Sequence, residues 1–226
     1  MPQLFELASH MIDGFPKNGP SDPIEYYRKP FVGRLYLDRI NRGLRLLPNR
    51  RYARELEVGY GAGAVQVALR SGVDELYGID LDAEPSIVHA VLKGRGCDAT
   101  LAKGSVYELP YESEFFDLVV CFSVFEHLAE YKKALAEVYR VLRPGGLFLL
   151  GMPSVNKLME AGFLAIGFKG INDHHITRPA DVERAWPSVG FQQRAADFLD
   201  LPRPFGLRSY HDWLLEKPLG RVAPTP

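Results

Sequence analysis

The sequence predicts an α/β protein built around a parallel sheet, and three observations carry that expectation. Short apolar runs at residues 55–58, 75–79, 98–102, 116–121 and 147–152 alternate with helical stretches near 63–71, 83–94 and 130–142. The first run, Glu55-Leu56-Glu57-Val58, leads straight into Gly59-Tyr60-Gly61-Ala62-Gly63, where glycine falls at every second position. The second run, Leu76-Tyr77-Gly78-Ile79, ends in Asp80. On a parallel strand beside the first, that carboxylate would face the hydroxyls of a ribose.

Residues 1–50 precede the alternating core as a helical extension, and residues 51–226 form the main domain. Asp13-Gly14-Phe15-Pro16-Lys17-Asn18-Gly19-Pro20 reads as a turn-rich linker. Tyr26-Tyr27 and Pro30-Phe31 then gather aromatic bulk, which suits a lid over the site or ordinary surface packing. Leu37, Ile40, Leu44 and Leu47 recur at helical spacing and Pro48 closes the run, so a helix over 34–47 packs one face against the sheet.

At the glycines, the chain turns tightly at the carboxyl end of a strand and a ligand can approach the peptide planes. The following helix presents its first N–H groups to the same place. Farther on, Tyr131, Leu135, Val138 and Leu142 define one buried helical stripe, and Pro144-Gly145-Gly146 is expected to stop that helix. Residues 178–189 read as a helix capped by Thr177 with Pro179 in its first turn, and 191–199 and 209–217 as two last strands.

Between these blocks lies an insertion at 154–176, with Leu158, Met159, Phe163, Leu164, Ile166 and Phe168 and few charges. Such a loop is long enough to be functional. It could wall an apolar substrate pocket, make a homodimer contact, or touch a membrane surface; the last is the weakest reading, because Lys157 and Lys169 are a thin basic face.

Composition narrows the partners. Of 226 residues 46% are hydrophobic, enough for a sizeable core, and 27 Lys and Arg against 28 Asp and Glu leave no basic field to recruit nucleic acid. Cys97 and Cys121 fall in or beside apolar strands and read as reduced core residues. With no leader pattern at the start and no run near the roughly eighteen apolar residues that cross a bilayer, the expected location is cytoplasmic.

A glycine turn followed by an acidic residue fits more than one nucleotide. Gly59-x-Gly61-x-x-Ala64 with Asp80 also meets the permissive dinucleotide fingerprint, which leaves a nicotinamide oxidoreductase open. Glu57, two residues before the first glycine, would sit more comfortably beside a cationic cofactor than beside a pyrophosphate.

Five motifs in order carry a resemblance: Glu57-Val58-Gly59-Tyr60-Gly61-Ala62-Gly63; Gly78-Ile79-Asp80-Leu81-Asp82; Leu109-Pro110-Tyr111 through Phe116-Asp117-Leu118-Val119-Val120-Cys121; Phe125-Glu126-His127-Leu128; and Arg140-Val141-Leu142-Arg143-Pro144-Gly145-Gly146. Over roughly residues 53–153 the chain resembles the class I S-adenosylmethionine-dependent methyltransferases, in the small-molecule group related to ubiquinone and menaquinone methyltransferases. The resemblance implies a Rossmann-like, seven-stranded mixed sheet with helices on both faces and an antiparallel last strand. It also implies S-adenosyl-L-methionine as cofactor and a small-molecule methyl acceptor.

Carried over residue by residue, it places the cofactor against Glu57, Gly59, Tyr60, Gly61, Gly63, Asp80, Leu81, Ser105, Val106 and Cys121. Two residues depart from the pattern. Tyr60 stands where many relatives have cysteine or a small residue, and Ser105 where relatives usually have an aspartate that accepts from the adenine amino group.

The chemistry asks little of the protein: a nucleophile in line with an activated methyl, water excluded, and sometimes a proton removed. His127, just past the fourth strand, is the candidate base, although the same residue could simply support the next helix. Asp173-His174-His175 is the other cluster, and His174 or His175 is a candidate to face substrate. Adjacent histidines diverge on most backbones, so no metal site is expected from that spacing. A methyltransferase-like binding or scaffold protein without turnover is the reading outside enzymes.

Overall fold

The computed structural model describes residues 5–19, 22–29, 32–154, 175–200 and 208–220. Its strands are β1 (Tyr52–Val58), β2 (Val73–Asp80), β3 (Ala99–Lys103), β4 (Phe116–Phe122), β5 (Leu142–Pro153), β6 (Gln192–Asp200) and β7 (Arg208–Glu216). They form one seven-stranded sheet in the order β3-β2-β1-β4-β5-β7-β6. Pairing is parallel from β3 across to β5, and β7 runs antiparallel to both of its neighbours. The chain winds outward from β1 to β3 and then returns to start β4 on the other side of β1. A crevice therefore opens above the carboxyl ends of β1 and β4, where this class of sheet binds ligands.

Among the described residues six α-helices accompany the sheet: α1 (Ile24–Tyr27), α2 (Val32–Leu46), α3 (Ala64–Leu69), α4 (Pro85–Lys93), α5 (Tyr131–Val141) and α6 (Pro179–Val189). On one face Ile40 and Leu44 of α2, Val65 of α3 and Leu92 of α4 join Leu118 and Val120 of the sheet in a buried cluster. On the other, Leu135 and Val138 of α5 and Trp186 of α6 meet Leu56, Val58 and Val119. β4 is buried from Phe116 to Cys121. A parallel strand covered on both faces has no polar side to show, and its sequence is correspondingly apolar throughout.

Two expectations are corrected. Pro144-Gly145-Gly146 does not stop a helix, because α5 already ends at Val141 and β5 begins at Leu142, which pairs with Phe116. The Gly145 N–H instead donates to the Lys217 carbonyl, extending the strand through the Pro-Gly-Gly run. Thr177 does not cap α6: its hydroxyl donates to the Leu128 carbonyl, and the Asp181 carboxylate accepts the Arg178 N–H at the helix start. Residues 13–19, expected as a turn-rich linker, are packed onto the core: Phe15 is fully buried and Asn18 is bonded to two loops. The insertion's apolar residues Leu158, Met159, Phe163, Leu164, Ile166 and Phe168, and Pro30-Phe31, lie outside the described residues. Among the described residues no helix is long and apolar enough to cross a membrane.

Candidate active site

The glycine turn sits at the carboxyl end of β1. Gly59, Gly61 and Gly63 have φ of 81°, 49° and 85°. All three occupy the left-handed region, so the alternating glycines answer a requirement of the backbone. The Gly59 N–H donates to the Ile79 carbonyl at 2.8 Å, tying the turn to β2. Asp80 closes β2 and braces both loops: Oδ2 accepts the Gly61 N–H at 2.9 Å, while Oδ1 accepts from Asp82 N at 2.8 Å and Ala83 N at 2.9 Å.

Beside it Leu81 is 66% exposed, an apolar side chain standing in the open. The Gly104 N–H donates to the Asp80 carbonyl and so brings the next loop alongside. There Ser105 Oγ accepts the Tyr107 N–H at 3.2 Å, and Val106 is buried. Gly59, Gly61, Asp80, Leu81 and Ser105 are thus gathered along one rim.

Three other residues of the expected cofactor set lie behind that rim. Tyr60 is buried with its ring against Gly78; burial and the Asp80 carboxylate push its phenol up. Glu57 points to the α3 face beside Gln66, and burial holds its carboxyl well above the usual range. Cys121 is wholly enclosed on the α5/α6 face, its thiol raised by burial. Strand alternation turns the Glu57 and Cys121 side chains into the core.

The N-terminal segment crosses the same rim. Asn18 Nδ2 donates to the carbonyls of Gly61 (3.2 Å) and Glu84 (3.3 Å), and its Oδ1 accepts the Glu84 N–H at 3.0 Å. Asp22 in turn accepts from Asn18 N at 2.8 Å and Ile24 N at 3.0 Å. Burial raises the Asp22 carboxyl against these bonds, with Asp80 adding to the rise.

A second corner forms at the carboxyl end of β4. Ser123 has φ of 58°, an uncommon conformation outside glycine that costs on the order of 1–3 kcal/mol and is retained most often at functional sites. Its Oγ lies 2.9 Å from Tyr210 Oη. Val124 reaches the glycine turn so closely that a Cβ on Gly59 would fall 2.3 Å from Val124 Cγ2.

Two residues on, Glu126 is buried at 2% exposure, and burial pushes its carboxyl up to about 8. The Glu126 carbonyl accepts the N–H groups of Ile176 and Thr177, which pins that segment here and brings His175 against His127. The two imidazoles are 5.2 Å apart at nearly right angles, and His127 Nε2 is 3.9 Å from Glu126 Oε1. His174 lies outside the described residues.

Glu126, His127 and His175 are the candidate metal group among the described residues, with ligand atoms within 4.8 Å of one another. Bond lengths near 2.1 Å imply ligand separations of about 3.4 Å around a tetrahedral ion, so these side chains would have to close in to hold one. Sequence reasoning had grouped Asp173, His174 and His175 instead. It also missed Asn18, Asp22, Arg39, Ser123, Tyr210 and Asp212. None of these stands in a motif, and apart from Asp22, whose bonds to Asn18 and Ile24 are local, each meets a partner from a distant part of the chain.

The family described as "methyltransferase domain" matches residues 56–150, the stretch from β1 to the middle of β5. A demethylmenaquinone methyltransferase of Thermus thermophilus is 35% identical over 102 residues, covering 44% of this chain and 46% of its own. The chain spans between 37% and 46% of the length of the first curated relatives it matches. Among solved structures, a SAM-dependent methyltransferase of Thermotoga maritima has a TM-score of 0.64 at 20% identity, covering 85% of this chain and 94% of that one. The [4+2]-cyclase SpnF has a TM-score of 0.65 at 17% identity, covering 90% and 88%. At such identities these two likenesses show the fold alone.

Proposed function

We propose that this chain, whose residues 56–150 match the methyltransferase domain family, moves a methyl group from S-adenosyl-L-methionine to oxygen, nitrogen or carbon of a small, fairly apolar acceptor. Because a cyclase shares the fold, the reading has to rest on the site. The observation that carries it is the bond between the glycine turn and Asp80: a left-handed Gly61 whose N–H meets a strand-end carboxylate, with an exposed apolar Leu81 beside it. That set suits a nucleoside, offering a carboxylate to diol hydroxyls, a glycine backbone that a ligand can approach closely, and an apolar side chain to a base.

In this reading Asp80 takes the ribose hydroxyls, and Gly59, Gly61 and Gly63 line the turn under the methionine part. Leu81 and Val106 cover the adenine, and Ser105 accepts from its amino group with a neutral oxygen. Bound there, the cofactor supplies a methyl already activated by its sulfonium. What remains for the chain is positioning, dehydration and proton removal. In this reading His127, 42% exposed just past β4, takes the acceptor's proton, with His175 packed against its ring. The balanced charge favours a small-molecule acceptor over nucleic acid.

Isothermal titration with S-adenosylhomocysteine, with NADH as control, tests the proposal. Micromolar binding of the first alone is expected, weakened by about tenfold or more in Asp80→Ala, since a hydrogen bond to a charged group is worth roughly 1.5–3 kcal/mol. Binding of NADH alone, or of neither ligand, would overturn it.

A further inference from the structure

Arg39 of α2 lies in a recess of aromatic rings, without a carboxylate partner among the described residues. Its guanidinium carbon stands 4.0 Å from the Tyr36 ring centroid and 5.1 Å from that of Tyr210. Tyr27 is its side-chain hydrogen-bond partner, and its Nε is buried with none. On the same helix Arg42 and Arg45 both meet carboxylates, Asp38 and Asp197 for the first and Asp38 for the second. Arg39 forms no ion pair with a described carboxylate, although Glu126 and Asp212 are both near enough to feel its charge.

Asp212 is enclosed between α2 and β5: Cβ atoms on Gly43 and Gly151 would fall 2.8 Å and 2.9 Å from its Oδ1. That burial raises the Asp212 carboxyl well above its usual range. The recess therefore presents a cation and the hydroxyls of Tyr27, Tyr210 and Ser123. An enclosed, unpaired guanidinium is costly, and its planar fork matches a carboxylate while its faces stack on rings.

The recess adjoins the reacting corner. Tyr210 is bonded to Ser123 at the end of β4, and the next residue, Val124, touches the glycine turn. We propose that Arg39, stacked between Tyr36 and Tyr210, anchors a carboxylate carried by the acceptor, so that the substrates are small apolar or aromatic acids. This specificity role rests on the methyltransferase reading.

The test titrates the full chain with benzoate and with benzamide, its neutral isostere, in the presence of S-adenosylhomocysteine, followed by ligand-observed NMR. Wild type is expected to bind benzoate about tenfold tighter or more, the scale of a charged hydrogen bond. Arg39→Gln is expected to abolish the preference while S-adenosylhomocysteine affinity stays within about twofold. Arg39→Lys keeps the charge but neither forks nor stacks, and is expected to reduce the preference severalfold. It reports on the anchor even if the glutamine variant fails to fold.

Equal binding of the two probes to wild type, or full preference in either variant, would overturn the proposal. Should S-adenosylhomocysteine fail to bind while the Arg39-dependent preference stands in its absence, the cofactor reading falls and the anion site survives.

Discussion

Glu55 is a carboxyl with both oxygens buried and no hydrogen-bond partner, in the middle of β1. Burial, with Glu57 next to it on the same face, holds its proton far above the usual carboxylate range. A carboxyl raised on folding stabilises the fold below about pH 4.5, its unfolded value, and that contribution is lost as pH rises. The loss is about 1.4 kcal/mol per pH unit while the folded form keeps its proton. His211 works the other way: burial lowers it to about 4, so its contribution grows as pH rises toward 6.5.

Glu55→Gln removes the first effect and leaves the second. Urea unfolding at pH 5 and pH 7 should show the variant gaining on wild type at the higher pH, whereas an identical difference at both would contradict a protonated Glu55. At this scale the sequence is uneven to read. A left-handed glycine declares itself by residue type, and Asp80 by ending a strand. Arg39, Asn18 and Asp212 look like ordinary surface polar residues until distant chain is folded against them.

Among elements, the seam between α2, β4, β5 and β7 is tightest where it has no side chain to spare. Register puts Phe122, Gly151 and Asp212 side by side on three adjacent strands. A Cβ at Gly151 would lie 2.4 Å from Phe122 Cδ1, 2.8 Å from Tyr210 Oη and 2.9 Å from Asp212 Oδ1. Gly151→Ala should therefore cost about 1–3 kcal/mol, the range for overpacking a core, and push apart the Ser123–Tyr210 pair. Chemical unfolding would measure it, and unchanged stability would mean that the seam is looser than these contacts imply. Element types and centres follow from periodicity alone. The ends do not: β5 starts at Leu142 because a bulged register lets it pair with Phe116, and α6 takes its first bond from Asp181 because Thr177 is spent on Leu128.

Seen whole, the molecule is a sheet covered on both faces, with its chemistry along one edge. Alternating runs of strand and helix made that architecture legible, because a parallel sheet needs a crossover after each strand. The edge itself was half legible. Its glycine turn and Asp80 belong to one local motif, whereas the strap through Asn18 reaches loops 43 and 66 residues away and the Arg39 recess joins residues from opposite ends of the sequence.

In the proposed function the rim of Gly59, Gly61, Asp80 and Leu81 holds the nucleoside. This claim is tested most directly by following backbone amide resonances while S-adenosylhomocysteine is added. The largest shifts should fall on Gly59, Gly61, Leu81 and Asp82, with the Gly61 amide moving as its bond to Asp80 is rearranged, and the amide of Cys121 should shift little. A saturating ligand that left these amides in place and moved others would contradict the claim.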